Sequence, residues 1–147
     1  MQVDFYQLSR DPIDKVVVML ARKVLQIGER LLVISQDTGQ RELLSKSLWS
    51  AGPEEFLAHG EAADDHPDIQ PILLSDRVQA ANGAKIVIMA DGIWRDDVRP
   101  DFDRALLLFG TDQTEAARDV WRQLDGVDGI ERQIHKQDDQ GRWRAGR

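Results

Sequence analysis

Apolar residues recur along this chain with two different periods, and the switches between them outline alternating strands and helices. Residues 3–8 form a first expected strand, with Val3, Phe5 and Tyr6 favouring extended backbone. Asp11-Pro12 reads as an N-cap followed by proline at the first helical position, with Asp14 in the first turn. Ile13, Val16, Val17, Leu20, Val24 and Ile27 then repeat at helical spacing until Gly28 closes the helix. Residues 31–35 are a short apolar run rich in branched residues, the mark of a strand buried on both faces. A second helix is expected over about 40–49, carrying Leu43, Leu44 and Leu48 on one side.

Residues 50–70 read mostly as loop, with Gly52-Pro53 and an acidic middle. Residues 71–74 and 85–90 have the pattern of core strands, separated by a polar stretch containing Asn82-Gly83. Residues 105–109 suit another strand, although a run this short fits a helical turn as well. A further helix is expected from Asp112 to about Leu124, with Glu115 three residues on as a capping box. Residues 130–136, the turn Asp138-Asp139-Gln140-Gly141 and Arg142-Trp143 suggest a strand or small hairpin. This alternation predicts one α/β domain over 1–147, a mainly parallel sheet with helices on both faces. An antiparallel strand can join one edge.

Such a sheet often binds nucleotides at its first strand-to-helix turn. Here that turn is Gln7-Leu8-Ser9-Arg10-Asp11-Pro12, which has no glycine to let backbone wrap a phosphate and has an acid to repel one. The expected topology is therefore Rossmann-like without a phosphate-binding loop. No GxxxxGK[ST] motif and no GxSxG elbow occurs in the sequence. His59, Asp64, Asp65, His66 and Asp68 have metal-ligand chemistry, but their spacing fits a solvated acidic loop better than a standard metal site.

Composition narrows the function classes. With 147 residues, 41% hydrophobic and 31% charged, the chain suits a single globular domain. The absence of cysteine excludes disulfides, thiol nucleophiles and Cys-ligated zinc. No apolar run is long enough to span a bilayer, and the start lacks a secretory pattern, so a soluble cytoplasmic protein is expected. A net charge of -7 opposes broad contact with DNA phosphates. The charge is uneven, however. Residues 54–68 hold six acids and no Lys or Arg, whereas 131–147 hold five basic residues against three acids. A basic end on an acidic body suits one local anionic partner.

Two constellations remain. Leu48 and Trp49, followed by Pro53, Glu54, Phe56, Leu57 and His59, form either a buried lid over the sheet or an exposed apolar patch for a partner. Arg118, Trp121 and Arg122 share one helical face at i, i+3 and i+4. That face either grips an acidic peptide with an apolar end or buries its Trp beneath arginine stems.

In this order, these features resemble the chi subunit family of bacterial DNA polymerase III. Asp4-Phe5-Tyr6-Gln7-Leu8 resembles its opening strand, and residues 28–34 resemble the G-x-R-x-L-V segment. LSKSLWSAGPEEFLAHG over 44–60 resembles the L-D-x-x-L-W…F-x-P-H signature. Gln70-Pro71-Ile72-Leu73-Leu74, Ala117-Arg118-Asp119-Val120-Trp121-Arg122 and Lys136-Gln137-Asp138…Gly141-Arg142-Trp143 are similar to later family segments. The departures are Ser45 for the usual Asp, Ala58 for the usual Pro, and a Thr114 turn lacking the Lys of some members. The missing phosphate loop, metal-ligand and nucleophile motifs predict a non-catalytic chain without a cofactor, and the resemblance implies an adaptor. Its partners would be the psi subunit of the clamp loader and the acidic C-terminal tail of single-stranded-DNA-binding protein, with DNA contacted mainly indirectly. By position, Arg118, Trp121 and Arg122 correspond to the tail site with Phe109 near its apolar wall, and Trp49, Phe56 and Leu57 to the psi-facing patch. The alternative class is a small α/β nucleotide-binding domain or enzyme of unknown substrate.

Overall fold

A computed structural model describes residues 1–51, 57–98 and 101–146. Eight strands form one sheet: β1 (Gln2–Gln7), β2 (Leu31–Ile34), β3 (His59–Glu61), β4 (Ile72–Ser75), β5 (Ile86–Met89), β6 (Arg104–Phe109), β7 (Glu131–Gln137) and β8 (Trp143–Gly146). Their order is β3-β4-β2-β5-β6-β1-β7-β8. Every neighbouring pair is parallel except β7 with β8. The expected parallel sheet with an antiparallel edge strand is therefore the observed one. Every residue of β2, β4 and β5 is buried, as apolar runs covered on both faces require.

Among the described residues three α-helices cover the sheet: α1 (Ile13–Gln26), α2 (Thr38–Trp49) and α3 (Thr114–Gln123). Strand alternation divides the core accordingly. Tyr6, Leu8, Leu31 and Val33 pack with Val17, Leu20 and Val24 of α1 and with Leu44 and Leu48 of α2. Val3, Phe5, Leu32 and Ile34 pack on the opposite side with Ala117 of α3 and Leu124 just after it. Helices thus lie on both faces.

Local details differ from the sequence reading where distant contacts compete. Pro12, not Asp11, holds the cap position of α1, and its carbonyl accepts from the N–H of Lys15 and Val16. The Asp11 carboxylate is taken instead by Gln137 Nε2 at 2.8 Å. α2 begins two residues before the expected start, capped by Asp37, whose Oδ1 accepts from the Gln40 N–H at 3.2 Å. Leu43 is exposed on that helix, so only Leu44 and Leu48 of the expected trio face the core. The segment expected as loop contains β3 and a short 3₁₀ turn, Pro67–Ile69. Gly52, Pro53, Glu54 and Phe56 lie outside the described residues. α3 is entered through a 3₁₀ turn, Thr111–Gln113, and Gln113 Oε1 rather than Glu115 reaches back to the Gly110 N–H at 3.2 Å.

Gly28 closes α1 as expected. Its φ is 79°, its N–H donates to Leu25 O at 3.0 Å, and the Glu29 N–H donates to Val24 O at 3.1 Å. This pair of bonds is a Schellman motif, which needs a left-handed residue at that position.

Candidate functional site

The late helix stands on the sheet face formed by β6, β1 and β7, and a cavity of about 340 Å³ opens beside it. The floor is apolar. Phe109 comes from β6, Phe5 from β1 and Ile134 from β7, while Ala117 and Trp121 form the helix wall. Phe5 and Phe109 are buried because they sit on interior strands under α3. Trp121 is half-buried, and its ring meets Phe5 edge-on with centroids 5.0 Å apart and planes at 71°. Such an edge contact fixes the indole orientation while leaving part of its surface accessible.

The rim is polar and cationic. Arg118 and Thr114 line it from α3, Gln7 from β1 and Lys136 from β7. Arg118 is 63% exposed, and its nearest carboxylate is Glu115 at 3.8 Å, an exposed i,i+3 pair of small energetic worth. A larger anion can compete for that guanidinium.

Arg132 braces the wall from behind. Its guanidinium carbon lies 4.2 Å from the Trp121 ring centroid, its Nη1 donates to Trp121 O at 2.5 Å, and its Nη2 pairs with Asp125 at 2.8 Å. One side chain thus ties β7 to the end of α3 and holds the indole by a cation–π contact.

Three of the four residues assigned to the tail site from sequence therefore converge: Arg118, Trp121 and Phe109. Arg122 does not line the cavity. It is exposed and pairs with Asp119 at 3.3 Å. Sequence reasoning missed Phe5, Gln7, Ile134 and Lys136 as lining, and Arg132 as a brace. The signal was present as alternation, since Phe5 and Gln7 on β1 share one face, as do Arg132, Ile134 and Lys136 on β7. Which face meets α3 depends on the fold.

The first strand-to-helix turn, where an α/β sheet can seat a phosphate, is already filled. The N–H groups of Ser9, Arg10 and Asp11 all donate to Gln137 Oε1, at 3.2, 3.0 and 3.1 Å. Three successive amides aimed at one oxygen form an anion-type nest, occupied here by a neutral side chain from β7. Gln137 itself is buried.

The second constellation is split by the fold. Trp49, at the end of α2, is 56% exposed, with its ring tilted over His59 at 4.5 Å. Leu57 is buried in the core beneath α1 and α2, and Phe56 lies outside the described residues. His59 bridges elements: Nε2 is 2.7 Å from Ser45 Oγ and Nδ1 is 3.0 Å from Leu57 O. A carbonyl only accepts, so Nδ1 carries the proton and Nε2 accepts from the Ser45 hydroxyl. Burial pushes the His59 pKa below its ordinary value, outweighing the opposing influence of the Leu57 carbonyl and of Asp64. Among the described residues no group of three His, Asp or Glu could hold a metal ion.

The family described as "DNA polymerase III chi subunit, HolC" matches residues 1–129. A curated relative, "Probable DNA polymerase III subunit chi" of Rickettsia prowazekii (strain Madrid E), is 28% identical over 88 residues. The aligned part is 60% of this chain and 53% of that protein, so the chain spans about half the length of the curated relative it matches. The family match takes in the N-terminal strand, all three helices and the cavity wall formed by α3. The chain belongs to the DNA polymerase III chi subunit family.

Proposed function

We propose that this chain is a non-catalytic accessory subunit of DNA polymerase III in replication, an adaptor in the cytoplasm. Its α3 cavity receives the acidic C-terminal tail of single-stranded-DNA-binding protein, and the surface around Trp49 faces the psi subunit of the clamp loader. One observation carries the reading: an apolar floor of Phe5, Phe109 and Ile134 lies under a rim bearing Arg118 and Lys136. An aromatic chain end fits the floor beside Trp121, while carboxylates fit the rim. Lys136 stands on the rim with Thr114, so it supplies from β7 the cation that the Thr114 turn lacks. Arg122, turned to the exposed side of α3, adds longer-range attraction.

The net charge of -7 suits a subunit that reaches DNA through another protein rather than by gripping phosphates itself. The occupied nest at Ser9, Arg10 and Asp11 supports a role without a bound nucleotide. No cofactor is needed for peptide capture.

Fluorescence anisotropy with a labelled peptide copying the cognate tail tests the reading directly. Wild type is expected to bind in the roughly micromolar range typical of a short peptide anchor. Arg118→Glu should weaken binding about tenfold and flatten its dependence on salt. Equal binding by both proteins would sink the site assignment. For the second surface, co-purification with psi should be lost in Trp49→Glu and kept in Arg118→Glu.

A further inference from the structure

We propose that the α3 cavity is the inner end of a longer channel for the acidic peptide, continued across the β7–β8 hairpin to a second cationic position at Arg144. This rests on the tail-binding reading, which already reaches β7 through Ile134 and Lys136, and extends it one strand further to β8; both strands lie beyond the family match, which ends at residue 129.

The strand register carries the argument. Phe109 pairs with Gln7, Gln7 with Lys136, and Lys136 with Arg144, one residue on each of β6, β1, β7 and β8. Residues directly opposite each other in neighbouring strands project from the same face of the sheet. The first three line the cavity, so Arg144 continues their row outward. Gly146, two residues further along β8, agrees: a Cβ there would meet Ile134 Cγ2 at 3.1 Å and Lys136 Cε at 3.5 Å. Across that row the chemistry grades from aromatic to amide to ammonium to guanidinium.

The dimensions match an extended chain. Strands lie about 4.8 Å apart, so three steps from Phe109 to Arg144 cover roughly 14 Å. An extended peptide advances about 3.3 Å per residue, so about four residues span it. A tail whose aromatic terminus rests on Phe109 and Trp121 thus brings an acidic residue about four positions upstream to Arg144.

Arg144 is suited to receive it. It is 73% exposed, and its Nε lies 3.6 Å from the Asp138 carboxylate. The other Asp138 oxygen, Oδ1, accepts the N–H groups of Gln140 and Arg142 at 2.9 Å each, so the turn holds that carboxylate whether or not Arg144 stays beside Oδ2. A peptide carboxylate competes with a long, exposed contact rather than a tight one.

The experiment compares two labelled peptides on the full chain. One carries an acidic stretch upstream of an aromatic C-terminus; the other is reduced to that terminus. Arg144→Glu should weaken the long peptide about fivefold or more while leaving the short one unchanged, and Arg144→Lys should keep most of the affinity. The channel is overturned if Arg144→Glu binds the long peptide as wild type does, or if both peptides weaken in equal proportion. Should wild type bind neither peptide, the tail-binding reading itself falls and the channel with it.

Discussion

Gln137 shows how much one buried side chain can settle. Its Oε1 accepts three successive N–H groups from the turn after β1, and its Nε2 donates to Asp11 Oδ2 at 2.8 Å and to Gly141 O at 3.3 Å. The Ser9 hydroxyl adds a bond to the Gln137 carbonyl at 2.8 Å. Truncation to alanine would strip the acceptor from all three amides at once, and a donor or acceptor left without its partner is costly. Gln137→Ala should therefore lose about 1–3 kcal/mol of stability, partial access of water to the turn setting the lower end. Urea unfolding would register this as a lower midpoint with an unchanged slope. An unchanged midpoint would mean that water serves the nest as well as the amide does. None of this was legible in the sequence, because Ser9 and Gln137 stand 128 positions apart. The same distant contact explains why Asp11, a sound local choice for an N-cap, does not cap α1. Local rules rank what a residue can do nearby, and tertiary partners then compete for it.

At the scale of elements, legibility followed burial and self-sufficiency. The runs 31–34, 72–74 and 86–89 are recognisable because buried strands need unbroken apolar residues. β3 was not, since His59, Gly60 and Glu61 carry no strand signal and are held by pairing with β4. The amphipathic pattern groups Leu43 with Leu44 and Leu48 on one side, yet Leu43 is exposed on α2. The cavity was half legible for a related reason. One helix face supplies Arg118 and Trp121, whereas Phe5, Ile134 and Lys136 join only when β1 and β7 become neighbours. The end of α1, by contrast, was readable because its signal is a single glycine. Gly28 has open space where a Cβ would go, so an alanine there meets no clash, only the backbone conformation at φ 79°. Gly28→Ala should cost about 1 kcal/mol through that left-handed strain. Thermal unfolding should show a fall of roughly 2–4 °C for a domain of this size. A rise, as expected for glycine replacement at an ordinary φ, would show that the Schellman geometry is not what holds the helix end.

Across the whole molecule, the acidic and basic regions sit on different parts of one sheet. β3 and the acidic stretch after it mark one edge, and the β7–β8 hairpin with its basic residues marks the other. His59 lies at the acidic edge, joined to α2 through Ser45 and tucked under Trp49. Its contribution to stability has a defined pH window. Because burial disfavours the imidazolium, the folded protein binds this proton less readily than the unfolded chain, whose imidazole titrates near 6.5. Above about 6.5 both states hold a neutral ring, and the full contribution is present. As pH falls from there towards the lower folded value, only the unfolded chain gains the proton, and stability drops. Neighbouring groups act elsewhere. Burial pushes the Glu61 carboxyl up, against the pull of Arg41, which gives a slope of opposite sign nearer the ordinary glutamate range of about 4.3. Asp91 is also pushed up by burial, but the Arg95 guanidinium and the N–H groups of Gln36 and Ile93 together hold it below the ordinary range. Its effect therefore appears only below about 3.9. His59→Gln should thus flatten the loss of melting temperature between about pH 7 and 5.5 while leaving the acid limb below about pH 4 in place. Melting curves for the two proteins at a few pH values suffice. Parallel slopes across the upper window would assign that loss to other groups and leave the His59–Ser45 contact with no part in the pH response.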